Sequence, residues 1–118
     1  MRSLDLSRNR LTNFTNPDIF PSLQQLNLSG CSLSQPSALS FNNLSRLTSL
    51  DLSNNRLESV PTSQLAGLAG LRSLVLSGNL FTSLGPHSFR ELHSLQQLYL
   101  TNCSQLRYWQ VETPQYQH

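Results

Sequence analysis

The most regular feature of the chain is the spacing of its apolar residues. Residues 47–70 read LTSLDLSNNRLESVPTSQLAGLAG and place apolar side chains at Leu47, Leu50, Leu52, Leu57, Val60, Leu65 and Leu68. Positions 71–94 fill the same slots with Leu71, Leu74, Leu76, Phe81, Leu84, Phe89 and Leu92. The triplets Leu26-Asn27-Leu28, Leu50-Asp51-Leu52, Leu74-Val75-Leu76 and Leu98-Tyr99-Leu100 recur at one constant interval, and Leu4-Asp5-Leu6 precedes them at a slightly shorter one. Polar positions repeat as well: SLQQLNLSGC at 22–31 returns three intervals later, at 94–103, as SLQQLYLTNC. A period between roughly 20 and 50 residues marks a stack of equivalent supersecondary units.

Within each triplet the apolar residues alternate with an outward one. That is strand periodicity, so both leucines face one side and the residues between them face the other. One such strand cannot bury its leucines alone. Parallel stacking at about 4.8 Å per unit lets them form continuous columns. The return segments, such as ESVPTSQLAGLAG, supply the opposite wall. Pro61, Pro86, Gly67 and Gly70 argue for turns and short irregular pieces there rather than long helices.

These residues carry a resemblance. The slots LxxLxLxxNxL, in a 24-residue unit, resemble the leucine-rich repeat and cover nearly the whole chain. The expected fold is an α/β repeat solenoid, an arc with short parallel strands on the concave face and irregular or short-helical return segments. The array is expected over 1–108, as units 1–22, 23–46, 47–70 and 71–94 with a partial unit 95–108; an irregular tail fills 109–118. The unit is similar to those of Toll-like receptors, Slit-type guidance proteins and small leucine-rich proteoglycans. It lacks the G-x-I-P signature of plant receptor arrays and the longer helical unit of ribonuclease inhibitor. Met1 falls in a leucine slot without a cap before it, and Gln105 occupies an apolar slot with Leu106 displaced by one. The array is therefore expected to be excised from a longer one, with Tyr108 and Trp109 folding over its last layer and an open strand edge inviting edge-to-edge self-association.

Three positions past the second strand leucine, each unit carries one residue of a structural ladder: Asn9, Cys31, Asn55, Asn79 and Cys103. The resemblance implies that this side chain turns inward and bonds the backbone of the loop leaving the strand. Buried backbone groups need such partners, and Asn offers a donor and an acceptor on a short stem. Cys serves as a small buried group with a weak donor. The two cysteines sit three units apart, about 14 Å at the parallel-strand spacing. A disulfide needs Cα atoms within about 7 Å, so two reduced, buried thiols are expected. The histidines, His87, His93 and His118, lie elsewhere in their units, so neither metal nor cofactor is expected.

Outward strand positions form rows across the face. The central row is Asp5, Asn27, Asp51, Val75 and Tyr99; before it runs Ser3, Gln25, Ser49, Ser73 and Gln97. After it come a hydroxyl row (Ser7, Ser29, Ser53, Ser77, Thr101) and then Arg8, Gly30, Asn54, Gly78 and Asn102, with Arg2 and Arg72 flanking the edge. Asp5, Asn27 and Asp51 make one half polar; Val75 and Tyr99 make the other more apolar. Tyr and Arg are favoured interface anchors, so Tyr99, Val75 and Arg72 lead the candidate ligand-binding residues, with Asp51, Asn27 and Asp5 completing the row.

Composition narrows the function. The 8 basic residues are all arginine, against 6 acidic ones, and charged residues make up only 12%. That balance does not point to nucleic acid. No apolar run reaches the roughly 18 residues of a membrane span, and no leader-like stretch follows Met1. Catalytic signatures such as G-x-S-x-G or H-E-x-x-H are missing, the serines recur as architecture, and an open arc has no dry pocket in which Asp5 and Asp51, about 9.6 Å apart by strand spacing, could act as a carboxylate pair. The expected function is a non-enzymatic recognition module of an extracellular receptor or secreted protein, taking a protein ligand or co-receptor on the concave face. Alternatives are an intracellular scaffold and a matrix-organising protein. Sequons begin at Asn13, Asn27, Asn43 and Asn102, with Asn13 and Asn43 in return segments the better glycosylation candidates.

Overall fold

A computed structural model describes residues 2–11, 14–15, 22–35, 39–41, 44–84, 88–103 and 108–109. Five three-residue strands form one parallel sheet: β1 (Ser3–Asp5), β3 (Gln25–Asn27), β5 (Ser49–Asp51), β6 (Ser73–Val75) and β8 (Gln97–Tyr99), in that spatial order. The register is that of the sequence repeat: Leu4, Leu26, Leu50, Leu74 and Leu98 are successive partners. The ladder runs past the strands on both sides. The carbonyls of Arg2, Gln24, Thr48 and Arg72 each take two N–H groups from the next coil. Beyond the strands, Leu6, Leu28, Leu52 and Leu76 donate to Asn27, Asp51, Val75 and Tyr99.

Return segments contribute two further parallel pairs, β2 (Phe14–Thr15) with β4 (Leu39–Ser40) and β7 (Ser83–Leu84) with β9 (Tyr108–Trp109). The single helical turn among the described residues, α1 (Thr62–Leu65), follows Pro61 and has no side-chain cap. Pro61 presets φ for a helix entrance, and the turn ends at Ala66. The sequence anticipates a short helical return but not the two-residue strands, which have no periodic signal of their own.

The core is continuous from Phe14 to Leu100. Leu47, Leu50, Leu52 and Leu57 of one coil and Leu71, Leu74, Leu76 and Phe81 of the next are fully buried, with Leu65, Leu68, Phe89 and Leu92 closing the wall from the return side. Val60 is only half-buried. Each fully buried leucine contributes about 2 kcal/mol of transfer free energy. No coil does this alone, because each column is completed by the coil beside it.

The polar ladder slot stitches the coils. Asn55 Oδ1 accepts from the Cys31 and Leu33 amides at 2.9 and 3.0 Å. Its Nδ2 donates to the Leu28 and Leu52 carbonyls at 3.0 and 2.9 Å. Asn79 repeats this one coil on, accepting from Leu57 and donating to Leu52 and Leu76. Both are nearly fully buried. The thiols keep only the donating half: Cys31 Sγ faces the Leu6 carbonyl at 3.2 Å and Cys103 Sγ faces that of Leu76 at 3.6 Å. Both cysteines are free, as the coil spacing requires.

Two ladder expectations need correction. Cys103 is half-buried rather than buried. Asn9 is exposed, though its Nδ2 still donates to the Leu6 and Ser7 carbonyls. Burial of a slot comes from coils on both sides, and Asn55 and Asn79 each have described ladder slots on both sides, whereas Asn9 and Cys103 have one on one side only.

Candidate functional site

The strand face carries the central row as the repeat requires: Asp5, Asn27, Asp51, Val75 and Tyr99 are successive register partners. All are exposed or half-buried, while the leucines on either side turn inward. The row nonetheless divides in two. Asp5 Oδ1 accepts from the Ser7 amide, Asn27 Oδ1 from Ser29 and Asp51 Oδ1 from Ser53, each at 2.9 Å. Asp51 also takes the Ser53 hydroxyl at 2.6 Å. These are Asx turns, in which a short side chain supplies the acceptor that the departing backbone lacks. Asp5, Asn27 and Asp51 thus serve first to end their strands, and an open cleft of about 320 Å³ lies over them. The Ser7 hydroxyl and amide, helped by the Arg8 charge and opposed by slight desolvation, hold the Asp5 carboxyl below its ordinary value.

Val75 and Tyr99 have no acceptor to spend in this way. They are direct cross-strand partners and half-buried, so they form one apolar and aromatic step on an otherwise polar face. The hydroxyl row beside them links across coils, with Thr101 Oγ1 donating to Ser77 Oγ at 3.0 Å. Arg72 lies apart from the row: it is exposed at the start of its coil's ladder, where its carbonyl takes the Gln96 and Gln97 amides.

The row Arg8, Gly30, Asn54, Gly78 and Asn102 is not a further strip of extended strand. All five are left-handed, with φ between 56° and 73°. Gly and Asn tolerate that region; a long side chain such as Arg8 does so at about 1 kcal/mol. The side chains also alternate with bare positions. Asn54 Oδ1 occupies the space that a Cβ on Gly78 would need, and the Arg8 side chain lies against Gly30. The alternation of Gly with Asn in this column was the available signal.

Of the sequon residues, Asn27 is half-buried with its oxygen engaged by Ser29, and Asn102 is exposed at a left-handed position before Cys103. Asn13 and Asn43 lie outside the described residues, as do the side chains of Tyr108 and Trp109. Among the described residues, no group of three or more His, Cys, Asp or Glu could hold a metal ion, and no helix is long and apolar enough to cross a membrane.

Known proteins bear out the repeat. The family model for the leucine rich repeat matches residues 45–104, and a second leucine rich repeat model matches 1–23 and 22–44. The chain is 40% identical to Tsukushi of Gallus gallus over 89% of its length and 38% identical to Vasorin of Homo sapiens over 86%. It spans only 28% and 15% of those proteins. Its fold superposes on a chain of the mouse RP105/MD-1 complex with a TM-score of 0.75 at 30% identity, covering 92% of this chain and 19% of that one. The match in sequence, period and strand register is sufficient: the chain belongs to the leucine rich repeat family, in its 24-residue extracellular class.

Proposed function

We infer that the chain is a non-enzymatic protein-recognition module of a secreted or cell-surface protein, and that it takes its protein ligand on the strand face around Val75 and Tyr99. The observation carrying this reading is the division of the central row. Asp5, Asn27 and Asp51 are engaged with their own backbone, whereas Val75 and Tyr99 leave an apolar step with no architectural duty. Truncating a half-exposed aromatic at a contact costs about 2 kcal/mol or more of binding when it is an anchor. Arg72, at the edge, adds a guanidinium for a carboxylate on the ligand.

The relatives support the coarser half of this reading. One solved relative, RP105, is in complex with a second protein, MD-1, and another relative is named a transforming growth factor beta activator. MD-1 and transforming growth factor beta are therefore the first probes. The test is surface plasmon resonance of the immobilised chain against both, and against proteins captured from conditioned medium. Val75→Ala with Tyr99→Ala should abolish at least one interaction, while Gln25→Ala, on the polar half, should leave it intact. Equal binding by all three chains would move the contact off this step.

A further inference from the structure

On a different part of each coil, just past the ladder slot, Arg10, Ser32 and Arg56 occupy one equivalent position in three successive coils. With Leu11 and Ser34 they line an open cleft of about 540 Å³. Two arginines thus flank one serine, their backbones about 10 Å apart by coil spacing. Both arginines are exposed, and neither forms an ion pair or side-chain hydrogen bond with the described residues. No carboxylate lines the cleft among the described residues.

A second observation falls on the same spot. Between later coils the backbone link is regular: Arg56 donates to the Leu33 carbonyl at 2.8 Å and Leu80 to that of Leu57 at 2.9 Å. The equivalent bond from Ser32 to Leu11 is not made. Ser32 is left-handed, at φ 61°, and Leu11 instead donates to the Cys31 carbonyl at 3.1 Å. The Ser32 N–H is therefore without a partner among the described residues. The repeat is broken at the centre of the cleft, and the break frees one more donor.

Every polar side chain here can donate, and the two cations cannot accept. The ligand must be anionic and rich in acceptors. A tetrahedral oxyanion presents oxygens to guanidiniums on both sides, where a planar carboxylate meets one fork. The cleft is larger than one such group, and the rest of its lining, Ser34 and Leu11, offers a hydroxyl and an apolar wall, as the hydroxyls and C–H faces of a sugar ring require. We propose that this cleft binds a sulfate ester carried on a glycan chain, with Arg10 and Arg56 clamping the sulfate and Ser32 supplying hydroxyl and amide donors.

The test titrates the 118-residue chain at low salt with a homogeneous sulfated tetrasaccharide, its unsulfated counterpart, and a sulfotyrosine peptide. Arg10→Gln with Arg56→Gln should weaken sulfated tetrasaccharide binding about tenfold or more, as expected for two lost charge-assisted contacts. Arg46→Gln with Arg90→Gln removes the same net charge from exposed sites elsewhere and should change it less than about twofold. The Ser32 amide should show the largest NMR shift on titration. Unchanged melting temperatures establish that all variants fold. Equal losses in the two double variants, equal binding of the unsulfated sugar, or an unmoved Ser32 amide would overturn the site. Tighter binding of the peptide would overturn the glycan assignment. Val75→Ala with Tyr99→Ala should leave this binding untouched, so the cleft and the strand-face reading fail separately.

Discussion

Coils built on Asn55 and Asn79 differ from those built on Cys31 and Cys103 in the side chain that fills the ladder slot. The carboxamide works in both directions. It accepts amides from the preceding coil while donating to carbonyls of that coil and its own. The thiol only donates, and weakly. Yet Cys31 is as buried as any leucine, and its own amide is satisfied by Asn55 from the next coil. A slot can therefore be a weak giver and still be well held, provided its neighbour is an asparagine. The chain uses thiols at coils two and five, so that asparagine coils separate one described thiol from the other.

Experiment can overturn or refine that contrast, beginning where the effect is greatest. Asn55→Ala leaves the Cys31 and Leu33 amides and the Leu28 carbonyl short of partners in a buried setting. Urea unfolding should show a loss of about 3 to 5 kcal/mol, and a loss below about 1 kcal/mol would mean that the ladder is not what joins the coils. Cys31→Ala removes one sulfur and a weak donor, so the same measurement should give about 1 kcal/mol, with Cys103→Ala smaller because its slot is half-open. Native-state labelling with a thiol reagent should modify Cys103 well before Cys31; the reverse order would contradict the burial difference.

Arg8→Asn replaces a long side chain at φ 62° by a residue at ease there. It should stabilise the first coil by about 0.5 to 1 kcal/mol in the same urea titration. The smallest effect concerns pH. A depressed Asp5 pKa means that its contribution is present above the unfolded carboxylate value and is lost as pH falls through the lower folded one. Asp5→Asn keeps an acceptor for the Ser7 amide and should flatten that acid-side slope, as seen by thermal melts across the acid range.

Strand register, the leucine columns and the separation of the two thiols were all legible from the spacing, because each follows from equal coil length. What the repeat did not announce came from local backbone needs. Asp5, Asn27 and Asp51 read as outward, contact-making residues, but each precedes a serine by two positions, and that pairing is an Asx-turn pattern. Arg8, Gly30, Asn54, Gly78 and Asn102 read as one more row of the face, although only left-handed backbone explains the choice of Gly and Asn. Val75 and Tyr99 read as the apolar, anchor-type members of the row; that neither takes the amide two residues on, as Asp5, Asn27 and Asp51 do, emerges only from the turn geometry. Arg10 and Arg56 belong to different coils, two apart in the sequence, and become neighbours of Ser32 only through coil registry.

The alternation in the left-handed column sets a second, longer period. Arg8 lies against Gly30 and Asn54 fills the space at Gly78, so a coil with a side chain there is followed by one without. Removing the Gly30 or Gly78 coil would set two occupied positions against each other, and removing the Asn54 coil would leave two bare ones side by side. Across the described coils the packing of this column therefore repeats every second coil, twice the period that the leucines display.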